Sequence, residues 1–134
     1  MQLAEGLCQL EEFAHLNQWR VDWNLEKLLL KEERIALVTD TAQIIQFATP
    51  NLIVMNGYMP DEIIGKQPKM FQGKDTDPET RSRIREAIIR QIPFKGTLVN
   101  YRKDGTAYNC LVDEYPVWNS EGRLVHFIAF EKIA

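Results

Sequence analysis

A chain of 134 residues is the size of one domain that buries its own core. A hydrophobic fraction of 45% and a charged fraction of 26% exclude a disordered or fibrous protein, and a net charge of −3 argues against binding driven by nucleic acid or an anionic membrane. The expectation is a cytoplasmic domain: no apolar run approaches the roughly 20 residues of a membrane span, Glu5, Glu11 and Glu12 stand where a signal peptide is basic and then apolar, and Cys8 and Cys110 have neither disulfide-framework nor zinc spacing.

In chain order, Leu3, Leu7, Leu10 and Ala14, with Phe13 beside them, fall on one face of a helix. Trp19–Trp23 interrupts that pattern. Asp22 is placed to cap a second helix, from Trp23 to about Arg34, that carries Leu25, Leu28 and Leu29. Ile35–Thr39 and Gln43–Phe47 read as a strand pair. Thr49-Pro50 marks a helix start, Pro60–Gly65 a helical turn closed by glycine, and Asp77-Pro78 a longer helix to about Gln91 with Ile84, Ala87 and Ile88 on one face. Gly96–Arg102 and Thr106–Tyr115 flank Lys103-Asp104-Gly105, where Asp-Gly supplies the positive φ of a tight hairpin. A last strand spans Arg123–Lys132 after the Asn119–Gly122 turn. Charge is uneven along this order. Residues 65–103 carry ten Lys or Arg against four Asp or Glu, a solvated face or an anion site.

This order and four motifs resemble the PAS family, in its light-oxygen-voltage (LOV) branch. Gly65-Lys-Gln-Pro-Lys-Met-Phe-Gln-Gly73 is similar to the flavin-binding segment of that branch, and Ile84-Arg-Glu-Ala-Ile88 to its phosphate-contacting helix. Asn100-Tyr-Arg-Lys-Asp-Gly105 is similar to its hairpin, and His126-Phe-Ile-Ala-Phe-Glu131 to its final strand. The resemblance covers about residues 35–132. It implies an α+β PAS fold, with a five-stranded antiparallel sheet, short helices on one face and an N-terminal helical extension. It divides the chain into a helical cap or dimerisation segment, 1–34, and a PAS domain, 35–134.

The resemblance also assigns pocket positions. Asn100, Gln72, Arg85 and Lys69 keep the polar and basic character of residues that face a flavin. Gln67 replaces an asparagine. Pro68 falls where the branch has the cysteine that attacks the flavin ring, Cys110 where it has a second asparagine, and Glu131 where it has the glutamine that senses the ring. Proline carries no nucleophile, so this pattern implies a LOV-like domain without adduct photochemistry.

Strand alternation places Leu98, Asn100, Tyr108, Cys110, Val112, Glu114, Phe127, Ala129 and Glu131 on the cupped face of the sheet. Two carboxylates there carry a cost if buried unpaired. The opposite face presents Val99, Tyr101, Leu111, Tyr115, Ile128 and Phe130, too much apolar surface to leave in water. The leucine-faced N-terminal helices are its natural cover, from the same chain or from a partner. The expected function is a non-enzymatic sensory, signalling or protein-interaction module with a small or closed pocket. It dimerises through the cap and outer sheet face, and binds neither nucleic acid nor membrane. No cofactor is expected. The alternative is a sensor that binds flavin mononucleotide (FMN) and works through light or redox chemistry without a cysteine adduct. Glu114 and Glu131 are not accompanied by a nucleophile, base and oxyanion donor in any motif, so no enzyme is expected. His15 and His126 are isolated, and no metal site is expected.

Overall fold

A computed structural model describes residues 3–134; residues 1 and 2 of the expected cap lie outside the described residues. The elements are α1 (Leu3–Leu16), a π-helical turn (Lys27–Lys31), β1 (Ile35–Thr39), β2 (Ile45–Ala48), α2 (Leu52–Asn56) and α3 (Pro60–Ile63). A 3₁₀ turn (Pro68–Phe71), α4 (Pro78–Arg90), β3 (Phe94–Tyr101), β4 (Ala107–Trp118) and β5 (Leu124–Ile133) complete the chain. The five strands form one antiparallel sheet in the order β2-β1-β5-β4-β3, the α+β architecture expected.

The sheet divides the core into two layers. On its inner side, Ile35, Leu37, Leu98, Cys110, Val112 and Ala129 pack with Leu52, Met55, Ile63, Phe71 and Ala87 from the helical segments between β2 and β3. On its outer side, Ala36, Val38, Val117, Ile128 and Phe130 pack with Leu10 of α1 and Leu29 of the π-helical turn. The odd and even positions of β1 and β5 thus enter different layers, as a two-residue period requires.

The outer face is covered from within the same chain. Phe13, Trp19, Val21, Trp23, Leu25 and Leu28 join the outer cluster. Trp23 lies 5.5 Å from both Tyr115 and Phe130, and Phe13 lies 5.2 Å from His126 between ring centroids. The Trp19 indole N–H donates to Nδ1 of His126 at 3.0 Å. At roughly 1.5–3 kcal/mol for each fully buried large side chain, this layer is a principal contribution to stability. Val99 and Leu111, on the outer side of β3 and β4, lie beyond this cover and are half-buried.

Several boundaries differ from expectation. The second helix is one π-helical turn rather than the span Trp23–Arg34. Asn24, not Asp22, makes the side-chain bond ahead of it: Lys27 N donates to Asn24 Oδ1 at 3.0 Å. Residues 19–24 instead run along the sheet, where Trp19 bridges Asn119 and Trp23 fills the aromatic layer. Strand β2 begins at Ile45 rather than Gln43, because Asp40 Oδ1 accepts the amides of Ala42 and Ile44, both at 2.9 Å, and holds 40–44 as a turn. Thr49 does not cap α2. Its hydroxyl accepts from Ala36 N at 3.0 Å and donates to Asn51 Oδ1 at 2.6 Å, which ties the start of α2 to β1.

Candidate functional site

The inner face of the sheet and α4 enclose a cavity of about 380 Å³, within the roughly 300–1,000 Å³ of small-molecule sites. Of the expected small or closed pocket, the cavity is the small one, and it opens at its lip. Leu37, Leu98, Val112 and Ala129 form an apolar floor, with Asn100, Glu114 and Glu131 as its polar groups. Arg81, Ile84, Arg85 and Ile88 form the wall, and Gln43, Gln67, Pro68, Lys69 and Gln72 the lip.

Local sequence explains the wall. The Asp77 carboxylate accepts from Thr80 Oγ1 at 3.0 Å and Glu79 N at 3.2 Å, and these bonds hold its carboxyl below the usual range. From that start, Arg81, Ile84, Arg85 and Ile88 recur at i, i+3, i+4 and i+7 and face the sheet together. The lip is tied to β3 through Thr76, whose hydroxyl accepts from Gly73 N at 3.0 Å and donates to Val99 O at 2.7 Å. Arg81 Nη2 donates to Gly73 O at 2.9 Å. Residue 73 has to be glycine, since a Cβ there would stand 2.5 Å from the Tyr101 ring.

Three buried polar atoms on this cavity make no hydrogen bond: Asn100 Oδ1, Gln43 Nε2 and Arg81 Nε. Asn100 is only 6% exposed. A buried polar group without a partner costs about 1–3 kcal/mol, and Arg34 Nη1, Thr39 Oγ1, the Tyr108 hydroxyl and Asp113 Oδ1 lack one elsewhere in the fold.

Electrostatics sharpen the floor. Burial pushes the Glu131 carboxyl up to about 7, against a hydrogen bond from Cys110 Sγ to its Oε1 at 3.4 Å. Burial pushes Glu114 up to about 7 as well, with the charge of Glu131 adding to it. Neither carboxylate makes an ion pair among the described residues. Both therefore exchange protons near neutrality.

Six of the seven residues expected at the pocket surround this one cavity: Asn100, Gln72, Arg85, Lys69, Gln67 and Glu131. Cys110 does not reach it. It lies behind Glu131, fully buried, and burial followed by the charge of Glu131 pushes its thiol up, which leaves it a poor nucleophile. Cys8 is exposed on α1, the element that packs on the outer side of the sheet. Gln43 and Arg81 were not anticipated, and Glu114 was placed on the cupped face without a role. Arg81 was legible, one helical turn before Arg85. Gln43 was not, because its approach depends on the Asp40 turn and a left-handed φ of 66°. No group of three His, Cys, Asp or Glu positioned for a metal occurs among the described residues.

Comparison with known proteins agrees with this geometry. The PAS domain family model matches residues 33–132. Phototropin-2 of Oryza sativa subsp. japonica is 31% identical over 121 residues, covering 88% of this chain and 13% of that protein. A blue-light-activated histidine kinase of Brucella ovis is 36% identical over 85 residues, covering 63% of this chain and 17% of that protein. The chain thus spans less than a fifth of these curated relatives. Among solved structures, the dark structure of the blue-light photoreceptor Aureochrome1 LOV superposes with a TM-score of 0.75 at 28% identity, covering 86% of each chain. A LOV domain studied with a flavin analogue also gives 0.75, at 24% identity over 84% of this chain and 86% of that one, a likeness of fold. Its strand order, cavity and family match over 33–132 together show that the chain belongs to the PAS domain family, with LOV domains among its homologues.

Proposed function

We propose that this chain is a non-enzymatic sensory module whose inner cavity holds a flavin-type ligand and which signals without a cysteine adduct. The observation that carries this reading is the cavity itself. Its apolar floor suits a flat ring system, and its cationic rim suits an anionic tail. The residues fit such a ligand. Asn100 lines the floor and would bring its side-chain amide to the ring edge. Lys69 and Arg85, both exposed at the rim, would hold a phosphate. Gln67, Gln72 and Gln43 add neutral amides at the lip.

A bound flavin supplies absorption of blue light and reversible reduction. The chain itself binds the ring against Leu98, Val112 and Ala129, excludes water from it, and presents the Glu131 carboxyl at the floor. Pro68 lines the cavity at the position implied for an adduct-forming cysteine, and Cys110 is screened by Glu131. The relatives described as blue-light receptors support the ligand class. The thiol positions support the absence of an adduct.

Output passes to a partner through the cap, 1–34, mounted on the domain 35–134 and acting in a homodimer. Leu16 at the end of α1 is 71% exposed, and Val99 and Leu111 extend the apolar outer face beyond the cap. An absorbance spectrum of the purified chain at pH 6, with and without added FMN, tests the ligand. A structured blue absorption that blue light does not convert to an adduct spectrum is expected. A colourless protein that takes up no FMN ends the flavin reading. Sedimentation showing a monomer at every concentration ends the dimer and leaves the ligand untouched.

A further inference from the structure

The apolar floor of the cavity carries three polar side chains. Asn100 lines it, and Glu114 and Glu131 add two carboxyls with no cation paired to either among the described residues. The other titratable and charged groups near the pair are Tyr108 and Cys110 on β4, Arg81 and Arg85 on α4, and Lys69 on the lip. Tyr108 and Cys110 stay neutral, since burial pushes both upward. Lys69 and Arg85 are exposed at the rim, where water screens them. Arg81 is engaged with Gly73 O.

A molecule seated on this floor removes the remaining water from both carboxyls, and that disfavours their charged forms. A ligand edge that carries carbonyl or imine acceptors also needs a donor opposite it. At this floor a glutamate supplies one only when protonated, beside the amide of Asn100. Desolvation and hydrogen bonding therefore act with the same sign. Resting on the flavin reading above, we infer that occupancy of the cavity is coupled to proton uptake by the Glu114–Glu131 pair, so that neutral or anionic ligands with an acceptor edge load at acid pH and are released as pH rises. The two carboxyls titrate near 7 in the free protein, so this release falls within the neutral range.

The experiment is a titration of the full chain with FMN from pH 5 to 9, followed by ligand fluorescence, with calorimetry in two buffers of different ionisation enthalpy to count protons. The expected result is constant affinity at the acid end. Above neutrality it weakens towards tenfold per pH unit for each proton taken up, and uptake is positive near pH 7. Glu131→Gln lowers the slope by one proton, and the double variant Glu114→Gln/Glu131→Gln flattens the profile and binds at pH 8 about as the wild type does at pH 5. Wild-type binding with a flat profile, or affinity that rises with pH, overturns the proton coupling and leaves the flavin reading standing. Failure of wild type and variants to bind FMN at any pH overturns both. Infrared titration of the carboxyls in the free wild type guards against a variant that does not fold. Midpoints at the ordinary glutamate value overturn the coupling by themselves.

Discussion

The two faces of one sheet are built on opposite terms. The outer face is closed over its apolar centre: Phe130 is 1% exposed and Ile128 not at all, aromatic rings from the cap sit on them, and His126 has its indole partner, although Asp113 Oδ1 beside Phe130 has no hydrogen-bond partner. The inner face, only one residue away along the same strands, keeps a 380 Å³ cavity, three polar atoms without partners and two carboxyls that titrate near 7. The outer face contributes stability by completing its contacts. The inner face forgoes stability by leaving contacts open, as a binding site has to.

The strongest test of that contrast is Phe130→Ala. Removing a fully buried aromatic side chain should cost about 3–5 kcal/mol in denaturant unfolding, with no change in FMN affinity of the protein that remains folded. Loss of ligand affinity in step with stability would erase the distinction between the faces.

Next in size is Glu131→Gln. A carboxyl raised from 4.5 to about 7 in the folded state holds more protons there than in the unfolded chain between those two values. Its contribution to stability is full below about 4.5 and is lost as pH rises to about 7, beyond which stability is flat. The variant should remove this residue's share of the slope, leaving that of Glu114, and stabilise the protein at pH 8 by about 1–3 kcal/mol. Unfolding free energies measured from pH 4.5 to 8 would show it.

Trp19→Phe probes the outer face more gently. It removes the donor to His126 and should cost about 0.5–1.5 kcal/mol near neutrality. Burial lowers the pKa of His126 below 6.5, against the charge of Asp40, so the unfolded chain binds the extra proton first. Stability from this group is present above 6.5 and declines as pH falls through the lowered value, the reverse of the glutamate slope. His126→Asn should abolish that acid-side decline and leave the glutamate slope in place. The smallest effect is expected for Arg85→Gln. An exposed cation is worth about 0–1 kcal/mol, so FMN affinity should fall by less than about tenfold and riboflavin affinity hardly at all. Equal losses for both ligands would place Arg85 elsewhere than at the phosphate.

Much of this was legible because it depends on short periods. The two-residue alternation of β3 and β5 separates Asn100 and Glu131 from Val99 and Phe130, and Asp77-Pro78 opens α4 as its chemistry dictates. Illegible features share a different origin. Residues 19–24 have helical neighbours, but Trp19 and Trp23 gain more by packing edge-on or tilted into the aromatic outer layer, and tertiary burial overrides local propensity. Cys110 has the right parity for the pocket, yet parity says only which side of the sheet it takes. Glu131, diagonal to it on the neighbouring strand, stands between it and the cavity.

By itself the sequence determined the order of most elements and which strand positions face which layer, both from backbone periodicity and turn chemistry, which are local; the pocket positions were implied by its family resemblance. Only the tertiary structure decided that the cap closes on its own sheet, that the pocket is open, and that Glu114 and Glu131 share one desolvated floor. Each of these depends on volume and dielectric between elements distant in sequence. That is where a carboxyl's ordinary value near 4.5 becomes one near 7.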